Sequence, residues 1–236
     1  MNAVAPALEA VAARPRLPVR VPWPALLGSL PNDDAHALDA LAVTRSVAEG
    51  QTIATRGSVA RQLIALIDGQ AVCGWVQPDR GLSAERVVHG PEWLVLSAPL
   101  AEGRHHCDVV AQSRVLLAEV PVEPLRALVA RRSMLSLRFM DTLAREVCRL
   151  DTRLHELMHK DAGARLAAWL CAQLQGSSQA VLRLAERKRD IASQLGMTPE
   201  TLSRMMRSLS ERGLIAVSGY TVRVLDPDAL HGLAHA

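Results

Sequence analysis

Apolar residues recur in this chain with several different rhythms. Between Ala42 and Val120 they come in short runs, Thr52-Ile53-Ala54, Leu63-Ile64-Ala65-Leu66-Ile67 and Val115-Leu116-Leu117, separated by Glu49-Gly50, Arg56-Gly57, Asp68-Gly69 and His89-Gly90. Regularly spaced short strands with glycine turns predict a small β-barrel or sandwich. Ahead of them, Pro24 to Leu41 reads as one or two short helices with Asn32-Asp33-Asp34 as a capping site. Residues 1 to 22, rich in Ala, Pro and Arg, read as a flexible tail.

Pro121 to Pro124 closes the strand region, and from there the pattern is helical almost without interruption to about Lys160. Met140, Leu143, Val147, Leu150, Leu154 and Leu157 alternate steps of three and four, the a/d spacing of a coiled coil. A core helix packed on the barrel would carry a similar stripe. The remaining faces are solvated, with Asp141, Arg145, Glu146, Arg149, Asp151, Arg153 and Glu156, so the apolar stripe is narrow and suits one partner helix, hence a symmetric homodimer. Asp161 to Gln175 is a further amphipathic helix, Gly176-Ser177-Ser178 a loop and Val181 to Leu184 a short strand that opens a second, small domain. The expected class is α+β, divided into a tail at 1–22, a β-domain at 23–122, a dimerisation helix at 123–160 and a C-terminal domain at 161–236.

In that last domain Arg187 to Gln194 forms a helix with Ile191 and Leu195 facing inward and Ala192 small enough for another helix to cross over it. Gly196 supplies a turn, Thr198 caps the next helix, and Pro199 suits its first position. The spacing Ala192, Gly196, Leu202 is that of a helix-turn-helix, which needs a small residue, a turn glycine and a core aliphatic at those places. On the second helix Glu200, Ser203, Arg204 and Arg207 fall at i, i+3, i+4 and i+7 and share one face. Arg204 can donate a bidentate pair to guanine, Glu200 can accept from a cytosine amino group, and Ser203 can touch a neighbouring base. A merely solvated face with an internal Glu200 to Arg204 pair is the alternative, and the turn motif argues against it. Thr198, Thr201, Lys188 and Arg189 join the candidate DNA contacts. Gly213 then caps the helix, and Leu214 to Val224 reads as a hairpin turning at Ser218-Gly219. Such a wing could touch phosphates through Ser218, Tyr220 and Arg223, or simply complete the small core.

Charge agrees with this placement. The net charge is only +3, but between residues 183 and 212 Arg183, Arg187, Lys188, Arg189, Arg204, Arg207 and Arg212 outnumber Glu186, Asp190, Glu200 and Glu211 by that same amount. Aromatics are 3% of the chain, too few for the stacking platforms of single-strand or RNA readers. Cys73, Cys107, Cys148 and Cys171 form no CxxC pair and no disulfide framework. No run of about 18 apolar residues occurs and the N-terminus lacks a signal-peptide core, so a cytoplasmic protein without membrane contact is expected. No Ser/His/Asp, nucleotide-loop or paired-carboxylate motif indicates an enzyme. The rival reading from another class is a cupin-like metalloenzyme, since a β-roll with histidines also suits a metal site, but it leaves the helix-turn-helix unexplained.

From about Leu27 to Leu233 the sequence resembles the Crp/Fnr family of bacterial transcription regulators. The resemblance is most specific in Met197-Thr198-Pro199-Glu200-Thr201-Leu202-Ser203-Arg204-Met205-Met206, followed by Leu209, Gly213, Leu214 and Ile215, and looser in Gly50, Ile53, Gly57, Leu63, Ile67 and Gly69. It implies a cyclic-nucleotide-binding-like β-roll that senses an effector, a long dimer helix and a winged helix-turn-helix, with RNA polymerase as an expected partner for an activator or repressor. Glu200, Ser203 and Arg204 look like the Fnr and Dnr branch, which implies a palindrome of TTGAT-like half-sites.

The implied effector pocket falls on Gly90, Glu92, Trp93, Arg104, His105, His106 and Cys107. Cyclic-nucleotide binders of the family carry Gly-Glu and then Arg-Ser or Arg-Thr, whereas the comparable places here read Gly90-Pro91-Glu92 and His105-His106-Cys107. Unless Arg104 substitutes through a one-residue shift, the permanent charge and fork for a phosphate are missing, which disfavours cyclic nucleotide. An iron–sulfur cluster needs clustered cysteines, and the N-terminal group of Fnr is absent. Haem needs one or two axial ligands, and His89, His105, His106 and Cys107 are the candidates for Dnr-type nitric oxide sensing; exposed loop histidines are the plainer reading. His105 and His106, as neighbours on a strand, would point to opposite faces and could not share a metal ion.

Overall fold

The apolar run Leu63 to Ile67 lies in a strand buried on both faces, which is why it is nearly continuous rather than alternating. In the computed structural model, which describes residues 19–77, 79, 81–101, 103–174, 181–184 and 186–235, that strand is β3 (Gln62–Asp68). It stands in an antiparallel sheet of order β1-β8-β3-β6, with β1 at Val43–Val47, β6 at Glu92–Val95 and β8 at Val115–Pro121. A second sheet, β2-β7-β4-β5, uses Thr52–Ala54, Asp108–Ala111, Gln70–Gln77 and Gly81–His89 for β2, β7, β4 and β5. Alternation then sorts the side chains. Ile64, Leu66, Val115 and Leu117 enter a core shared with Ala71, Cys73, Val88 and Val109 of the second sheet. Leu63, Ala65, Ala118 and Val120 enter another, shared with helices. The two sheets make a β-roll.

The helical cover is α1 (Trp23–Leu27), α2 (Asn32–Leu41), α4 (Val122–Val129) and the start of α5 (Ser133–His159), while α3 (Ser97–Leu100) lies between β6 and β7. Trp23, Leu27, Leu38, Leu125, Leu135 and Phe139 fill the core beneath it. Three expectations need correction here. The tail does not reach residue 22, since Val21 is buried in this core; residues 1–18 lie outside the described residues. Asn32 to Asp34 do not cap α2, because Pro31 holds the cap position, and Asp34 instead pairs with Arg132 at 2.6 Å. The helix from 124 to 160 is two helices, with a break at Ala130 to Arg132 where the backbone turns onto Leu128 and Val129 carbonyls. Of the turn glycines, Gly50, Gly57 and Gly69 have positive φ. Gly90 does not, and an added Cβ there would stand 2.6 Å from the Ile67 carbonyl oxygen, so close backbone approach is what requires glycine.

The chain divides between Arg145 and Glu146 into two compact units, with 83–85 belonging to the second. The second contains the end of α5, then α6 (Ala162–Leu174), β9 (Val181–Arg183), α7 (Lys188–Gln194), α8 (Pro199–Glu211), β10 (Ile215–Ser218), β11 (Thr221–Val224) and α9 (Pro227–Ala234). Its sheet has the order β10-β11-β9, all antiparallel. Leu166, Leu170, Ile191, Leu202, Leu209, Val222 and Leu230 close one apolar core. The proposed loop Gly176 to Ser178 lies outside the described residues. No described helix is long and apolar enough to cross a membrane.

Candidate nucleic-acid interface

The turn between α7 and α8 is built by the residues that the sequence singles out. Ala192 is fully buried, and its carbonyl accepts the Met197 N–H at 3.0 Å. Gly196 turns the chain with φ 62°. Thr198 is the N-cap of α8, its hydroxyl accepting the Thr201 N–H at 3.2 Å and lying 3.2 Å from the Thr201 hydroxyl. Leu202, Met206 and Leu209 are buried, and Glu200, Ser203, Arg204 and Arg207 are all exposed, so α8 offers a polar face as a set. Ser203, Arg204 and Arg207 make no hydrogen bond or ion pair among the described residues.

Glu200 differs from them. Its own backbone N–H and then the Thr198 hydroxyl hold its carboxyl below the usual carboxylate range. Held as an anion in the first turn of α8, it is favourably placed against the helix dipole and is an acceptor at neutral pH. No ion pair forms between Glu200 and Arg204 among the described residues, so neither spends its charge on the other.

Lys188 and Arg189 are exposed at the start of α7, with the Arg189 Nε 3.5 Å from the buried Asp190. Thr201 is half-buried and serves the cap as much as the surface. The hairpin is displaced by one residue from expectation. Ser218 still pairs with Thr221, so Gly219 and Tyr220 form the turn. Glycine at φ 60° satisfies this tight turn, and the Tyr220 ring is left exposed while its carbonyl accepts the Leu184 N–H at 2.7 Å. Ser218 and Arg223 are exposed beside it.

Two arginines secure this motif: Arg153, which the sequence places on the solvated face of the long helix and which is half-buried instead, and Arg165, which the sequence does not single out. Arg153 Nη2 donates to the Gln194 carbonyl at 2.8 Å, and Arg165 donates through Nε to the Leu195 carbonyl at 2.9 Å and through Nη1 to the Lys160 carbonyl at 2.6 Å. Cations at the last carbonyls of a helix satisfy acceptors that have no partner in the helix itself. Only the helix-end geometry of α7 reveals them, since an arginine 30 residues away in sequence carries no such signal.

The effector candidates in the β-roll are not brought into one constellation. Trp93 is buried in the helix-covered core, its indole N–H donating to the Leu26 carbonyl at 3.2 Å. Glu92 is exposed and accepts the Trp93 N–H at 3.0 Å. Arg104 Nη1 donates to the Gly57 carbonyl at 2.7 Å, and its backbone bridges Val59. His89 and His106 are exposed, Cys107 is half-buried, and His105 is half-buried with its pKa lowered by burial and then by the neighbouring His106. Among the described residues no group of three His, Cys, Asp or Glu could hold a metal ion. His105 and His106 lie in the loop before β7, not on a strand as expected, and His89 ends β5; two of the three are exposed, a poor setting for haem ligands. Arg86 on β5, not anticipated, reaches the Trp93 carbonyl at 3.1 Å and the Cys73 sulfur at 3.9 Å.

The stripe on α5 is exposed at Met140, Val147, Leu150, Leu154 and Leu157, with Met140 62% accessible. Leu143 departs from it and packs partly against the core beneath the helices.

Residues 164–233 match the model of the Crp-like helix-turn-helix domain. The chain is 27% identical over 196 residues to the fumarate and nitrate reduction regulatory protein of Salmonella typhimurium, covering 80% of this chain and 78% of that one. It is 27% identical over 212 residues to the transcriptional activator protein Anr of Pseudomonas protegens, covering 87% and 86%. In fold it is similar to FixK2 from Bradyrhizobium japonicum, with TM-score 0.68 at 20% identity over 83% of this chain and 98% of that one. A variant of CooA from Carboxydothermus hydrogenoformans gives TM-score 0.70 at 16% identity over 93% and 98%.

Proposed function

The chain belongs to the Crp/Fnr family of transcription regulators, and from that premise we propose that it binds, as a homodimer, a palindrome of TTGAT-like half-sites. The observation that carries the reading is the exposed set Glu200, Ser203, Arg204 and Arg207 on α8, opposite its buried Leu202, Met206 and Leu209. Arg204 donates to guanine, Glu200 accepts from cytosine, Ser203 reads a neighbouring base, and Arg207, Lys188, Arg189, Thr198, Ser218 and Tyr220 set the register on phosphates. A twofold dimer places two such helices about 34 Å apart, one DNA turn.

The dimer is formed by α5 through Val147, Leu150, Leu154 and Leu157, supported by their shared exposure on one stripe. Residues 23–122 serve as the sensor domain and 123–160 as the dimerisation segment, and RNA polymerase is the partner that reads the bound dimer. Cyclic nucleotide is disfavoured as effector, which the attachment of Arg104 to the Gly57 carbonyl supports.

The test is DNA affinity at fixed salt for a duplex carrying TTGAT-N4-ATCAA against a scrambled duplex. A preference of about a thousandfold or more is expected; equal, salt-sensitive binding to both would overturn the half-site reading. In the same series Leu150→Asp puts an unpaired carboxylate into each side of the seam, at about 3 kcal/mol or more each. Sedimentation should then report a monomer, and an undiminished dimer would remove α5 as the seam.

A further inference from the structure

In the second unit a cavity of about 360 Å³ opens among the C-terminal half of α5, α6 and the end of α7. That volume lies at the small end of the range for small-molecule sites, roughly 300 to 1,000 Å³. Its walls combine Arg149, Arg153 and Arg165 with the half-buried indole of Trp169; Arg149 is paired with Glu146 at 2.7 Å, and the acid among the lining residues, Glu156, with Lys160 at 2.9 Å. Arg165 has two backbone carbonyls as partners and no carboxylate among the described residues. We propose that this cavity is a binding site for a small aromatic anion, its carboxylate held by the arginines and its ring lying against Trp169.

Guanidinium groups favour a planar oxyanion because two N–H donors meet two oxygens, and a ring against an indole adds apolar burial. Leu157, on the proposed seam, borders the cavity, whereas Arg149, Thr152, Arg153 and Glu156 lie roughly a third of a turn round α5 from Leu150 and Leu154, so a helix seated on the seam reaches one edge of the cavity and leaves the arginine flank open. Arg153 and Arg165 also hold the Gln194 and Leu195 carbonyls that end the first helix of the DNA-binding motif. An anion sharing those guanidiniums therefore acts on the motif directly, and that consequence rests on the DNA-binding reading above.

The test uses 2-naphthoate, titrated by calorimetry into the full chain, with 2-naphthylmethanol as the uncharged counterpart of the same shape. One site per chain is expected, with the alcohol weaker by about tenfold or more. Arg149→Glu, at an exposed position, and Ala172→Trp, which fills the rim from the exposed face of α6, are each expected to weaken 2-naphthoate by about tenfold or more. Absence of saturable binding, or equal affinity in wild type and both variants, overturns the site. Palindrome affinity measured on the same samples separates the two readings. Saturable binding lost in both variants, in a protein with no preference for the palindrome, keeps the site and removes the half-site reading. Palindrome preference without saturable 2-naphthoate binding does the reverse.

Discussion

The recognition helix and the β-roll both carry polar side chains at their surfaces, and they use them in opposite ways. On α8, Ser203, Arg204 and Arg207 are exposed with no partner among the described residues. In the roll, Arg104 holds the Gly57 carbonyl, Arg86 holds the Trp93 carbonyl, and buried Asp108 accepts the Arg56 and Val76 N–H groups at 2.9 Å each. Polar groups spent on their own backbone hold loops in place. Groups left together on one face cost nothing while solvated and can exchange water for a partner's acceptors, so the outward set marks the interface more clearly than residue type does.

Matched substitutions test this contrast. The largest difference is expected between Arg204→Ala and Arg104→Ala. The first should weaken palindrome binding by about 1 to 3 kcal/mol per half-site, whereas the second should leave DNA affinity unchanged and loosen only the loop at Gly57. Equal losses in a gel-shift titration would end the distinction. Next come two turn glycines. At Gly69, with φ 91°, an added Cβ would stand 2.6 Å from the Arg114 carbonyl oxygen, a backbone atom that cannot swing away. Gly69→Ala should therefore cost roughly 2 to 5 kcal/mol, a left-handed backbone plus overpacking. At Gly196 the close atom is Cδ2 of Leu157 at 2.8 Å, the end of a flexible side chain. Gly196→Ala should cost only about 1 to 2 kcal/mol. Denaturant melts that ranked them in the other order would contradict the difference in rigidity.

The smallest effects are in titration. Glu200 has a depressed pKa, so its contribution to stability is present above the ordinary glutamate range and is lost as pH falls through the depressed value. Thr198→Val removes the hydroxyl and should raise that pKa in an NMR titration, incompletely, because the backbone N–H is the larger cause. His105 is also depressed, but as a base it favours the neutral form. Its folded state loses stability as pH falls through the ordinary histidine range toward the lowered value. His106→Ala should raise the His105 pKa only slightly, since burial is the larger cause. A full return to the ordinary value would show that the neighbour's charge dominates.

The helix-turn-helix was readable because each of its parts is local. Ala192, Gly196, Thr198 and Leu202 lie within eleven consecutive positions and act on one another there. The strands Leu63 to Ile67 and Val115 to Leu117 were equally plain, as apolar runs between glycine turns. Less legible were features that depend on distant partners. Asp34 looks like a cap until Arg132, 98 residues on, is placed beside it. Leu143 fits the α5 stripe by spacing and still turns toward the roll's helical core. The hairpin register slipped by one because Ser218 and Gly219 both suit a turn, and pairing with Thr221 decides between them.

From the order of residues alone came three strands of the β-roll, the α+β class, the turn of the DNA-binding motif and the polar face of α8. These follow from φ preferences, caps and periodicities that act within one turn or one strand. Folding in three dimensions decided that Trp93 belongs to a core rather than a pocket, that Arg104 serves the Gly57 loop, and that Arg153 and Arg165 close the end of α7. Each of those is a bond between residues far apart in the chain, and the strength of such a bond depends on a geometry that sequence separation does not encode.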